Sequence, residues 1–139
     1  MYLLDTNVVS ELRKARTGKV DCRVTAWATD TPAASMYLSV ICILELERGT
    51  LLMERRDRFQ GAMLRSWLED QVLPAFAGRV LPVDSPVARR CAALHVPNPC
   101  SYRDSLIAAT AMVHGMTVVT RNVSDFEPTG VALLNPWQP

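Results

Sequence analysis

The feature that most constrains this chain is an alternation. Short apolar runs at residues 2 to 4, 36 to 39, "RVLPVD", "MTVVT" and "VALLN" alternate with longer segments whose apolar residues recur at helical spacing. Strands separated by helices imply parallel crossovers, and a parallel sheet needs cover on both faces. The expected fold is a three-layer α/β/α sandwich around a central, mostly parallel sheet, with residues 1–139 forming a single domain. A chain of 139 residues is long enough for one core.

Within that frame Thr6 or Asn7 caps a helix to about Arg16, and Val20, Val24 and Trp27 mark a second. A third helix runs from about Val40 into "MERRDR". Phe59, Met63, Trp67 and Leu68 form the apolar stripe of a fourth, which reaches about Val72. Pro82 weakens the third strand, and Ser85 followed by Pro86 starts a helix that ends near His95. "VPNPC" then breaks the chain before the helix of "RDSLIAATAMVHG".

A net charge of +1 supplies no global attraction to nucleic acid. Arg13, Lys14, Arg16 and Lys19, and Arg55, Arg56 and Arg58, form local basic patches that taken singly read as solvated helix faces. Cys22, Cys42, Cys91 and Cys100 contain no CxxC pair, and only His95 and His114 offer imidazole, so a zinc site is not indicated. The cysteines are expected to be reduced and mostly buried. "MYLLDTN" lacks a leader pattern, and no apolar stretch approaches the ~20 residues that span a bilayer. A cytoplasmic protein without a membrane anchor is expected.

The acids carry the chemistry. In open α/β sheets ligands lie beyond the carboxyl ends of the strands. Asp5 follows the first strand, and because Thr6 and Asn7 can cap the helix equally well, a site role is favoured for it. At 100° per residue Glu45 falls between Ile41 and Cys42 and faces inward, while Glu47 points to the opposite side. Asp104 stands in capping-box spacing to Ser101, yet Ala108 and Ala111 follow on its stripe, which puts it on a packed face. Asp125 in "NVSDF" either caps a turn or joins the site. Acids from separate segments gathered at one sheet edge repel unless cations intervene. Mg²⁺ or Mn²⁺ suits such oxygen donors, and the chemistry it supports is hydrolysis of a phosphodiester.

In order and spacing, "LLDTNVVSEL", "LSVICILELERG", "RDSLIAATAMVHGMTVVTRNVSDF" and "LLNPW" resemble the PIN-domain ribonucleases, specifically VapC-type toxins of toxin–antitoxin pairs, with the FitB-like branch nearest. The resemblance covers essentially the whole chain. It implies a Mg²⁺- or Mn²⁺-dependent endoribonuclease acting on RNA, held inactive by a cognate antitoxin, and a homodimer that assembles further with it. It places metal ligands on Asp5, Glu45 and Asp104, with the fourth position filled by Asn122, where many relatives carry Asp, or by Asp125. Thr6, Asn7, Ser39 and Thr120 would orient the carboxylates or a metal-bound water, and Cys42 would only pack. Two other readings stay open. A phospho-aspartate phosphatase shares with "LLDTN" only the first Asp of D-x-D-x-T, and a PIN fold retained for binding alone would need no acids. Val8, Val9, Leu12, Leu51, Leu52 and Met53 exceed what one buried side needs and are expected to line a groove for an apolar antitoxin helix.

Overall fold

The computed structural model describes residues 1–138, apart from the side chain of Arg16. Strands β1 (Tyr2–Leu4), β2 (Met36–Ser39), β3 (Val80–Leu81), β4 (Thr117–Val119) and β5 (Leu133–Leu134) form one sheet. Its order is β3-β2-β1-β4-β5, with every neighbouring pair parallel. The chain steps outward from β1 to β3, then returns to build on the other flank of β1. The crevice where that direction reverses, between β1 and β4, is where an open α/β sheet binds ligands.

Side chains alternate across the sheet and separate two cores. Leu4, Met36, Leu38 and Val119 pack with Val8 and Val9 of α1 (Thr6–Arg13), Val24 of α2 (Cys22–Asp30), and Cys42 and Leu46 of α3 (Val40–Arg56). On the other face Leu3 and Val118 meet Ile107, Ala108 and Ala111 of α7 (Tyr102–His114) and Phe126 of α8 (Val123–Phe126). Small alanines let α7 lie close to the sheet, and α6 (Ser85–Leu94) packs outside it through Val87 and Cys91 against Ala109. The three-layer α/β/α architecture holds, and the sheet is parallel throughout.

Several local expectations shift. The cap of α1 is Asp5, not Thr6 or Asn7, and beyond Arg13 the chain tightens into a 3-10 turn, Lys14–Thr17. Asp84 rather than Ser85 caps α6, accepting from the Val87 amide at 3.2 Å. In α4 (Arg58–Trp67) the Phe59 and Met63 side chains are exposed, so they do not form the buried stripe. The cause is Gly61, which faces α3 and sets the contact line through residues 61, 64 and 68. A π-helical turn, Leu68–Val72, and α5 (Leu73–Ala75) bring this segment back to the core. Of the expected groove residues, Val8 and Val9 belong to the interior, while Leu51 and Leu52 of α3 are exposed. Cys42 and Cys91 are buried, but Cys22 and Cys100 are not. Arg13, Lys14, Lys19, Arg55, Arg56 and Arg58 are solvated as expected, and the Arg16 side chain lies outside the described residues.

The α3–α4 hairpin depends on that glycine. A Cβ at position 61 would stand 2.5 Å from the Glu54 Cα and 2.8 Å from its nitrogen, backbone atoms that cannot step aside. Gly61→Ala is expected to lower stability by about 1–3 kcal/mol in urea unfolding, despite the better helix propensity of alanine. A midpoint at or above that of the unsubstituted protein would contradict this packing.

Candidate active site

Asp5 is the first residue beyond β1, and its amide continues the sheet by donating to the Val119 carbonyl at 2.9 Å. Its side chain has no solvent exposure. An ionised carboxylate there has to be fully hydrogen-bonded. Oδ1 accepts from the Thr6 amide at 2.7 Å and from Arg103 Nη2 at 2.6 Å. Oδ2 accepts from Thr120 Oγ1 at 2.8 Å and from Asn7 Nδ2 at 3.5 Å. Thr120, just past β4, is itself held by the Asn122 amide at 3.0 Å and by Asn7 Nδ2 at 3.4 Å. Thr6, Asn7 and Thr120 are thus all hydrogen-bonded to the Asp5 carboxylate.

Glu45 lies in the second turn of α3, as the wheel predicts. Thr6 Oγ1 donates to its Oε1 at 2.5 Å, and Arg103 grips both oxygens, Nη2 to Oε1 at 2.8 Å and Nε to Oε2 at 2.6 Å. Burial pushes the Glu45 carboxyl up, but the hydrogen bonds from Arg103 and Thr6 outweigh it and hold the group below the usual carboxylate range. Glu47 points away and pairs with Arg65 at 2.7 Å. Cys42, beside the cluster, is an inert packing thiol pushed up to about 12, chiefly by burial.

For Asp104 the structure separates the cap from the site. Ser101 caps α7 by accepting from the Asp104 amide at 3.3 Å, while the Asp104 carboxylate accepts from Arg103 Nη1 at 2.8 Å. Three acids from the starts of α1, α3 and α7 therefore converge on one guanidinium. Three negative charges against one positive leave the cluster with a net charge of −2.

Arg103 is the functional residue that sequence reasoning misses. Its signal is faint: an arginine beside Asp104, in a chain whose gathered acids demand a cation. The acids are hard oxygen donors gathered around a positive charge, and that donor chemistry suits Mg²⁺ or Mn²⁺. Among the described residues no three His, Cys, Asp or Glu side chains stand ready to hold an ion, because these carboxylates are spaced around the guanidinium instead.

The remaining expected residues lie outside this cluster. Ser39 is buried and caps α3, accepting from the Ile41 amide at 3.0 Å, with no bond to an acid among the described residues. The Asn122 side chain is exposed, and only its amide joins the network. Asp125, exposed on α8, shares with Asp104 a cleft of about 350 Å³ lined also by Pro97, Asn98 and Pro99. A second cleft of about 200 Å³ adjoins Glu45 and Thr6, with Arg13 on its wall. Glu11 is another buried acid, but it holds the Asp21 amide and Lys14 and is structural.

The depressed Glu45 carboxyl sets a pH response. Its ion pairs contribute stability that is fully present above the ordinary value of 4.5 and is lost as pH falls through the lower folded value. Without metal, the melting temperature is expected to drop on acidification below pH 4.5, and Glu45→Gln to flatten that drop. Identical acid limbs for the two proteins would show that Glu45 is not so paired.

Comparison with known proteins places the whole chain among relatives of known name. The chain is 43% identical over 147 residues to the VapC ribonuclease Y4jK of Sinorhizobium fredii, covering 100% of this chain and 99% of that protein. It is 39% identical over 143 residues to toxin FitB of Neisseria gonorrhoeae, covering 99% of each. The crystal structure of FitAcB from Neisseria gonorrhoeae superposes with a TM-score of 0.90 at 38% identity, covering 100% of both chains. A VapBC complex from Salmonella typhimurium, at 21% identity and a TM-score of 0.73, shares the fold. With the PIN domain family model matching residues 2–128, the chain belongs to the PIN domain family.

Proposed function

We propose that this PIN domain is an endoribonuclease toxin, that Asp5, Glu45 and Asp104 hold a divalent cation, Mg²⁺ or Mn²⁺, and that a cognate antitoxin keeps it inactive. The observation that carries the reading is the convergence of those three carboxylates at the β1–β4 crevice, in a chain related end to end to a VapC ribonuclease and to toxin FitB. A cation bound there supplies an activated water and neutralises charge on the phosphodiester. The protein supplies orientation. Thr120 and Asn7 fix Asp5 Oδ2 and leave Oδ1 facing Arg103, while Thr6 bridges Asp5 and Glu45 by donating its amide to one and its hydroxyl to the other. RNA would lie across the clefts that adjoin Glu45 on one side and Asp104 and Asp125 on the other. Asp125, on the wall of the cleft it shares with Asp104, then acts on the substrate side, outside the ligand cluster.

The phosphatase reading loses ground here, because Asn7 donates to Asp5 and Thr120 where that chemistry wants a second acid. Leu44, Leu51, Leu52, Phe59 and Met63 are each at least half exposed on α3 and α4, apolar surface suited to a protein partner such as the antitoxin or a second copy. No helix among the described residues is long and apolar enough to cross a membrane, and a cytoplasmic location is part of the proposal.

Purified protein is expected to cleave RNA with Mg²⁺ or Mn²⁺ and to stop in EDTA. Asp104→Asn preserves the shape and the helix-start preference but removes a charge. It is expected to melt within a few degrees of the unsubstituted protein while cleavage falls roughly 100-fold or more. Undiminished cleavage in EDTA would overturn the metal mechanism, and an active but unstable Asp104→Asn protein would reduce Asp104 to a structural acid.

A further inference from the structure

Arg103 makes four hydrogen bonds to three acids, at 2.6 to 2.8 Å. Its nitrogens take Asp5 Oδ1, both oxygens of Glu45, and Asp104 Oδ1. Asp5 Oδ2 already serves Thr120 and Asn7, and both Glu45 oxygens are gripped, so a cation that bridges Asp5 and Glu45 would need atoms the guanidinium now holds. Two positive charges within a few ångströms repel strongly, and a divalent ion prefers water and carboxylate oxygens to a neighbouring guanidinium. Arg103 sits in the first turn of α7 with its side chain one-third exposed, so once its bonds to the acids are exchanged, rotation about side-chain bonds is enough to carry the guanidinium to solvent without disturbing the helix.

We infer that Arg103 and the divalent cation are alternative occupants of the acid cluster: the arginine keeps Asp5, Glu45 and Asp104 assembled without metal and is displaced outward when metal enters. The inference rests on the metal-dependent reading of the site given above. It explains how three carboxylates, one with no solvent exposure, stay together around a single guanidinium. It also makes the free toxin a protein in which metal affinity is set by competition with its own side chain. Lysine would not serve equally, because its three donors cannot make the four bonds that the planar fork makes to these carboxylates.

The test titrates Mn²⁺ alone, without RNA, into unsubstituted protein and Arg103→Gln by calorimetry, with thermal melts in EDTA beside it. Arg103→Gln is expected to melt lower in EDTA and to bind Mn²⁺ roughly 10-fold tighter or more, since one positive charge no longer competes. Equal or weaker Mn²⁺ binding by a folded Arg103→Gln protein would overturn the inference. Should the variant fail to fold in EDTA, NMR of the unsubstituted protein decides, with Mg²⁺ as the diamagnetic probe. The Arg103 Nε–H signal, protected by Glu45, is expected to shift and exchange rapidly with water as the Thr6 amide shifts. A Thr6 amide that responds while Arg103 does not would overturn displacement and leave the metal site standing. If neither responds and calorimetry detects no Mn²⁺ binding, the metal reading itself fails, and the inference with it.

Discussion

Everything in this site follows from burying the Asp5 carboxylate. An ion with no solvent exposure is costly unless each lone pair finds a donor. Here the donors come from three separate stretches of chain: Thr6 and Asn7 at the start of α1, Thr120 beyond β4, and Arg103 at the start of α7. Satisfying one carboxylate therefore fixes the register of β1 against β4, the entry of α1 and the approach of α7. The pairing of Leu4 with Val119 places Asp5 and Thr120 side by side, and the small residues Ala108 and Ala111 bring α7 near enough for Arg103 to reach across. Stability and site geometry share the same hydrogen bonds.

The cluster carries its own counter-ion and still remains short of neutral. One guanidinium against three carboxylates leaves residual negative charge, and Thr6 and Thr120 lock two of those acids, Asp5 and Glu45. Residues outside it fall into distinct roles. Ser39 holds the start of α3, Cys42 fills space beside the acids, and Asp125 looks into the neighbouring cleft. The exposed apolar surface of α3 and α4 lies on a hairpin that Gly61 brings close, on elements that also carry Glu45. A partner seated there would lean on the helix that positions an acid.

Much of this was legible in the residues. Alternating strands and helices dictated the parallel three-layer fold, strand ends pointed to Asp5 and Thr120, and a helical wheel turned Glu45 inward. The losses have physical causes. Caps at Asp5 and Asp84 lie one residue before the expected positions, because Asp and Thr or Ser compete as caps and only the backbone decides between them. Phe59 and Met63 keep helical spacing but face solvent, since periodicity reports a stripe and not what covers it. Arg103 escaped notice because a charged residue in a first helical turn ordinarily points to water. Its role appears only when residues 5, 45 and 104 meet in space, contacts that span up to 98 positions in the chain.

The most direct measurement is anomalous diffraction from crystals of the chain soaked in Mn²⁺. The account predicts a manganese peak among the Asp5, Glu45 and Asp104 carboxylates, with the Arg103 guanidinium displaced from them. A peak in the cleft at Asp125 with Arg103 still bound to all three acids, or no ordered manganese at any acid, would contradict it.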